Sequence, residues 1–268
     1  MAELPELIQL LTDKSKLTAM LAPSFPVVYD YPGIVGKLKR LGFAYVVEVA
    51  AGAEETNKKV IEALKKDEKA RYITSPCPSF VRMVRKKYPH LEKYLAYAAE
   101  SPMIQTAKMV KVKWPDYQAV FIGPCFVKKL EASEDFPDLK LLVLTYKELD
   151  EVFKHFQIND EEKDKQAEFD ITFPGTRLYP ISGGLVQSGN LKEILSDDQI
   201  QVVSGWQNCG KALIDFQASD TVRLLDILFC DGGCIMGGGI TSSLNLEERR
   251  RRVTQYWVLG KTINKPSC

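Results

Sequence analysis

The apolar run Leu224-Leu225-Asp226-Ile227-Leu228-Phe229 stops at Cys230-Asp231-Gly232-Gly233-Cys234, and this junction constrains the chain more than any other stretch. A short apolar run bounded by glycines reads as a buried strand. Two thiols in C-x3-C spacing, where a strand breaks into a loop continued by Gly237-Gly238-Gly239, are placed to hold a metal cluster. The glycines let backbone N–H groups approach inorganic sulfides without an obstructing side chain. Taken alone, the pair reads equally as two packed core thiols, because cysteine is among the most buried residue types.

Two further cysteines repeat the arrangement. Cys77 lies in Thr74-Ser75-Pro76-Cys77-Pro78, after the strand-like Arg71-Tyr72-Ile73. Cys125 lies in Gly123-Pro124-Cys125-Phe126-Val127-Lys128-Lys129, after Ala119-Val120-Phe121-Ile122. Four of the chain's 6 cysteines therefore stand at strand ends in Gly- and Pro-containing loops. Strand ends at one edge of an open α/β sheet are where ligands bind. Four thiolates also meet the ligand demand of a [4Fe-4S] cluster.

These segments resemble the cluster-binding signatures of the catalytic domain of [FeFe]-hydrogenases, which commonly read T-S-C-C-P, M-P-C-x-x-K-K and C-P-G-G-C-x-x-G-G-G. Here they stand, in the same order, as T-S-P-C-P, G-P-C-F-V-K-K and C-D-G-G-C-I-M-G-G-G. A weaker Gly-Gly element is present as Ile181-Ser182-Gly183-Gly184. The resemblance implies that Cys77, Cys125, Cys230 and Cys234 are the metal ligands of a [4Fe-4S] subcluster. Cys234 would also bridge to a two-iron subcluster with CO, CN and a bridging dithiolate, the whole being the H-cluster. Lys128 matches the lysine that donates a charge-assisted hydrogen bond to an iron-bound cyanide. With Cys234 it forms the expected catalytic pair, while Gly183 and Gly184 are expected to flank the cofactor. The implied architecture is α/β, with two lobes of mainly parallel sheets flanked by helices and the H-cluster between them.

The sequence departs from the family pattern close to the metal. The cysteine that commonly precedes the first ligand, and passes protons to the bridging amine, is Pro76 here. Proline has neither an ionisable group nor an N–H. Gly123 and Leu228 replace two methionines, and Ser101-Pro102-Met103-Ile104 replaces a Ser-Pro-Gln-Gln. Glu48, Glu54 and Glu55 are the candidate carboxylates of an altered proton path. The implied function is reversible conversion of 2 H+ and 2 e− to H2 by an iron hydrogenase. Two alternatives follow from the same residues: an H2-sensing regulatory hydrogenase of low turnover, and a nonenzymatic iron–sulfur assembly protein binding only a [4Fe-4S] cluster. No cysteine precedes Cys77, so the accessory clusters of many relatives are not expected. Ferredoxin or a separate electron-transfer subunit would then dock near the cluster, and hydrogenase maturation proteins would supply the two-iron unit. Arg82, Arg85, Lys86 and Lys87, with Lys108, Lys111 and Lys113, form the expected docking patch for an acidic donor.

The rest of the chain fits this reading. Its 268 residues, 45% of them hydrophobic, suit one large domain or two intimate lobes. A net charge of +1 makes no case for nucleic acid, and no apolar run reaches the length of a membrane span. Cysteines without disulfide-scaffold spacing, and a start without a signal-peptide pattern, suit a reducing cytoplasm, and the resemblance implies an anaerobic hydrogen metabolism. Boundaries are expected at 1–16 for an N-terminal extension, 17–252 for the catalytic domain and 253–268 for a tail, with lobes at about 17–158 and 166–252. Strands are predicted at 17–22, 43–49, 71–73, 119–122, 141–144, 201–204 and 224–229. Helices are predicted at 34–41, 54–66, 80–87, 91–99, 101–110, 146–156, 208–216 and 247–257, and residues 159–165 as an exposed charged linker. Cys209 and Cys268 match no motif, and His90 and His155 read as surface or capping residues.

Overall fold

Strands alternate with helices along the chain, and alternation of this kind builds parallel sheets covered on both faces. The computed structural model describes residues 3–263. In order these are α1 (Glu3–Thr12), β1 (Leu17–Leu21), α2 (Gly33–Leu41), β2 (Tyr45–Glu48), α3 (Ala50–Lys66) and β3 (Tyr72–Ile73). Then come α4 (Pro78–Lys87), α5 (Pro102–Lys113), β4 (Gln118–Gly123), α6 (Val127–Leu130), β5 (Leu142–Thr145) and α7 (Tyr146–His155). The chain closes with α8 (Gly184–Ser188), β6 (Ile200–Ser204), α9 (Trp206–Ala218), β7 (Leu224–Leu228) and α10 (Leu246–Ile263).

The strands form two sheets, ordered β2-β1-β4-β5 and β3-β7-β6. Every strand pair is parallel, so the carboxyl ends within each sheet lie at one edge. β1 and β7 are buried along their whole length, as central strands covered on two faces must be. One face of the first sheet packs with α1, α2, α7 and α10 through residues such as Leu7, Leu38, Leu149 and Val253. Its other face packs on α5 through Ile104 and Val110. The second sheet is sandwiched between α4 and α9 on one side, through Phe80, Val84, Leu213 and Phe216. On the other side Leu224 joins Val60, Leu64 and Leu185 of α3 and α8.

Several boundaries differ from the expectation. Within the expected extension 1–16, helix α1 is packed on the rest of the chain: it buries Leu7 and Leu11, and its Glu3 pairs with the buried Lys129 at 3.2 Å. The tail does not begin at 253: α10 runs through that position and buries Val253 and Tyr256. Nor are the lobes two consecutive segments. β3 and α4 come early in the chain yet belong to the second sheet, while Ile235, Ile240 and Val253 pack with the first. The charged segment 159–165 is anchored, since Arg40 binds the carboxylate of the buried Asp164 at 2.8 Å. The helix predicted at 91–99 is a 3-10 turn over Pro89–Tyr94, after which Leu95 bridges Ile73 of β3.

Candidate functional site

All four motif cysteines follow strands. Cys77 caps α4, with Pro78 in the first turn where a missing N–H costs nothing. The backbone N–H groups of Phe80 and Phe229 reach its sulfur and favour the thiolate. Cys125 follows β4 after Pro124, and its carbonyl accepts from the Lys128 N–H at 3.4 Å, starting the turn into α6. Cys230 ends the extension of β7, and Cys234 opens a 3-10 turn to Met236.

Glycines bring these loops together by close backbone contact. Gly233 has φ +106°, and a Cβ there would meet the Pro180 carbonyl at 2.5 Å. The same residue bridges Ile181, so the 180–184 segment backs the Cys230–Cys234 loop. Gly237 lies so close to the Cys125 loop that a Cβ would stand 2.5 Å from the Pro124 carbonyl. The Gly239 N–H donates to that carbonyl at 2.8 Å. Arg249 of α10 then holds the outgoing chain, donating to the carbonyls of Ile235 at 2.8 Å, Ser242 at 2.7 Å and Leu244 at 2.8 Å. Nothing in the sequence sets it apart from the helix arginines that follow it.

The four sulfurs share one electrostatic neighbourhood. Burial pushes the Cys234 thiol well above its usual value, and the fields of Cys77, Cys230 and Cys125 add to that. Cys230 is pushed up to about 12 by burial and then by Cys77, Cys125 and Cys209. Cys77 is raised chiefly by burial, with a further push from Cys125 and an opposing pull from Lys128. Among the described residues the cysteines are free thiols, and no three Cys, His, Asp or Glu side chains close around a single ion. A four-iron cube makes a different demand, one thiolate per iron, with the ligands spread around the cube.

Between the two sheets, at the carboxyl ends of β1, β4 and β7, lies a cavity of about 80 Å³. One water needs roughly 10–15 Å³ on this measure, so the space is no packing defect. Its wall is mostly apolar: Pro23, Val49, Pro76, Met103, Phe121 and Leu228 contribute, and Cys125, Lys128 and Cys234 border it. The buried Lys128 ammonium donates to the Pro76 carbonyl at 3.0 Å and to Glu131 Oε2 at 2.6 Å. It thereby ties the Cys77 loop to the Cys125 loop, and one of its three donors is left over.

Other expected residues fall elsewhere. Gly183 and Gly184 are not on the cavity wall. Gly183 takes φ +77° to start α8, and a Cβ on Gly184 would run into the Leu178 carbonyl. Their neighbours Ile181 and Leu185 do border the cavity. Glu48 is fully buried and spoken for: Arg177 Nε donates to it at 2.7 Å and the Tyr256 hydroxyl at 2.9 Å, with Thr172 on its other oxygen. It locks α10 and the 172–177 segment onto β2 and lies off the cavity wall, as do Glu54 and Glu55. Two residues that sequence reading missed, Asp226 and Tyr179, do line it. Cys209 is fully buried in α9, donating to the Gly205 carbonyl at 3.3 Å. His90 is exposed, and His155 packs edge-on to Phe156 at the end of α7. Cys268 lies outside the described residues.

The expected docking patch is partly neutralised. Arg82 pairs with Glu134 at 2.8 Å and Arg85 with Asp135 at 2.8 Å, while Lys108 binds Glu100 at 2.6 Å. Lys86 and Lys87 remain exposed beside a groove that also includes Trp206 and Phe229.

Two parallel sheets joined across a cysteine-bordered cavity are the fold of [FeFe]-hydrogenase catalytic domains. The structure superposes on that of a variant of [FeFe]-hydrogenase HydA1 from Chlamydomonas reinhardtii, with a TM-score of 0.71 at 20% identity, covering 96% of this chain and 88% of that one. A HydA(deltaEFG) structure described as revealing stepwise H-cluster assembly matches with a TM-score of 0.70 over the same shares. The family model "Iron only hydrogenase large subunit, C-terminal domain" matches residues 15–238, and the chain belongs to that family. Among curated proteins it is 23% identical to the NADP-reducing hydrogenase subunit HndD of Solidesulfovibrio fructosivorans, over 85% of this chain and 49% of that subunit. It is 33% identical to the cytosolic Fe-S cluster assembly factor NAR1 of Yarrowia lipolytica, over 37% of this chain and 21% of that factor. The chain thus spans about half the length of the first relative and far less of the second. No helix among the described residues is long and apolar enough to cross a membrane.

Proposed function

We propose that the chain is an [FeFe]-hydrogenase domain that interconverts protons, electrons and H2 at an H-cluster. The observation that carries this reading is the convergence of four motif thiols on one neighbourhood that borders an apolar cavity also lined by Lys128. The residues fit the group. Burial and the neighbouring thiols raise Cys77, Cys230 and Cys234, which makes the metal-free thiolate set unfavourable and a bound cationic cluster its natural complement. Gly233 and Gly237 leave no room for a side chain beside the loops that carry the ligands.

In this reading Cys77, Cys125, Cys230 and Cys234 would hold the [4Fe-4S] subcluster, and Cys234 would also serve the two-iron subcluster beside the cavity it borders. When bound, the two-iron unit with its CO, CN and dithiolate ligands supplies the redox chemistry of H2. The chain's own residues bind, shield and orient. Lys128 offers its remaining N–H toward the cavity while its other two donors keep the two cysteine loops in register. The apolar wall excludes bulk water and strengthens each polar contact that remains. Pro76 offers no proton donor at the place where a thiol commonly stands. That last point favours low turnover, and with it a second reading as an H2-responsive sensor.

Electrons would arrive from ferredoxin or a separate electron-transfer subunit near Cys230, which is half-buried, beside the groove carrying Lys86, Lys87 and Trp206. An acidic donor docked there would bind more weakly as salt screens the lysines. Reversing both charges should slow donor-linked turnover, and rates that ignore both salt and reversal would place the donor elsewhere. The function itself is tested by anaerobic co-production with hydrogenase maturation proteins, followed by H2 evolution from a reduced low-potential donor. Steady evolution above a Cys234→Ala control supports the enzyme, and none above it counts against the enzyme.

A further inference from the structure

Behind the cavity lies a group of buried polar side chains that packing alone does not explain. Asp226 is the lone carboxylate of β7 and is only 3% exposed. An apolar residue would fill such a central strand position at no desolvation cost. Its Oδ1 accepts from the Thr74 hydroxyl at a long 3.4 Å, while Oδ2 is buried with no hydrogen-bond partner. The carboxyl borders the cavity, and so does Tyr179, which is 8% exposed. The Tyr179 hydroxyl has no partner within normal reach either. It feels the Asp226 charge on one hand and the nearby Thr56 hydroxyl on the other. Thr56 in turn donates to the Glu100 carbonyl at 2.7 Å.

Orphaned buried polar atoms are uncommon, and a proton-transfer role is one of the physical reasons they persist. Burial pushes the Asp226 carboxyl up to about 6, against the stabilising Val186 N–H and Thr74 hydroxyl. It is therefore poised to exchange a proton near neutrality. The other titratable groups on the cavity wall are Cys125, Lys128, Tyr179 and Cys234. None is a carboxylate.

We propose that the Asp226 carboxyl is the proton-exchanging group of the cavity and fills the role for which Pro76 has no donor. This rests on reading the cavity as the seat of the two-iron unit. The O–H bond at Oδ2 breaks to release one proton into the cavity. The same oxygen then regains a proton from solvent reaching the cavity, which restores the acid after each release. Asp226 itself is neither oxidised nor reduced, the two electrons per H2 coming from a one-electron iron–sulfur donor.

Asp226→Asn keeps the shape and the Thr74 contact but holds no exchangeable acid proton. Matured native protein, Asp226→Asn, Asp226→Glu and Tyr179→Phe would be compared by infrared spectroscopy and by exchange of H2 with D2O. The native protein should show the carbonyl stretch of an un-ionised carboxylic acid below about pH 6, and Asp226→Asn should lack it. Exchange should fall about a hundredfold in Asp226→Asn, with CO and CN bands and iron content unchanged. Asp226→Glu should recover part of it, and Tyr179→Phe, which removes a hydroxyl but leaves the Asp226 acid in place, should stay close to native. Native bands together with undiminished exchange in Asp226→Asn would overturn the relay alone, as would the absence of an acid carbonyl that depends on Asp226. Native protein without CO or CN bands would overturn the reading of the cavity, and the relay with it.

Discussion

Asp226 makes a prediction that needs no cofactor. Its carboxyl is raised from 3.8 to about 6 by burial. One pKa unit corresponds to about 1.36 kcal/mol, so the shift amounts to roughly 3 kcal/mol between protonated and ionised forms. Because the folded-state value is the higher one, the native state binds the proton more tightly than the unfolded chain does. The associated stability is full below about pH 4 and is lost as pH rises through about 6. Asp226→Asn removes that titration and leaves the other carboxylates as they were. Urea unfolding of the iron-free chain at a series of pH values from about 4 to about 7 would measure it. The native protein should lose about 3 kcal/mol relative to Asp226→Asn across that range. The Cys230 thiol, pushed up to about 12, and Cys234, raised well above its usual value, do not titrate there. Parallel stability curves for the two proteins would refute both the buried charge and the argument built on it.

Other outcomes follow from the same contacts. Replacing Cys77 or Cys230 by Ala should abolish most iron uptake on anaerobic reconstitution with iron and sulfide, and full loading would sink the ligand assignment. Pro76→Cys should raise H2 turnover while Pro76→Ala does not; equal rates in the native protein and both variants would show that the missing thiol does not limit the reaction. Glu48→Gln should destabilise the fold by about 3–5 kcal/mol, because it strands Arg177 in the interior. A loss within experimental error in urea melts would mean the pair is not the lock described here.

Much of the architecture was legible because strand and helix periods are local. The runs ending at Cys77, Cys125 and Cys230 all proved to be parallel strands, and the motifs placed the thiols before any geometry was known. What escaped was set by distant partners. Arg40 and Asp164 lie far apart in the chain, so an apparently solvated linker became an anchor. Glu48 looked like a free acid until Arg177, Thr172 and Tyr256 arrived from the later half of the chain. Residues 91–99 have helix-forming side chains, but pairing of Leu95 with Ile73 draws them extended. Asp226 left a signal that went unused. A carboxylate inside an otherwise apolar strand is costly, and its position four residues before Cys230 already put it near the motif.

The central claim is that the four thiols and the cavity between the sheets hold an H-cluster and not a four-iron cluster alone. Infrared spectroscopy of the chain after maturation tests this most directly, because CO and CN on iron absorb where protein does not. Sharp CO and CN bands are expected, disappearing in Cys234→Ala and shifting in Lys128→Met, whose side chain can no longer donate to a cyanide. A protein that carries four irons and sulfides yet shows no such bands would contradict the claim, and would place the chain among iron–sulfur proteins that keep the fold without the hydrogen chemistry.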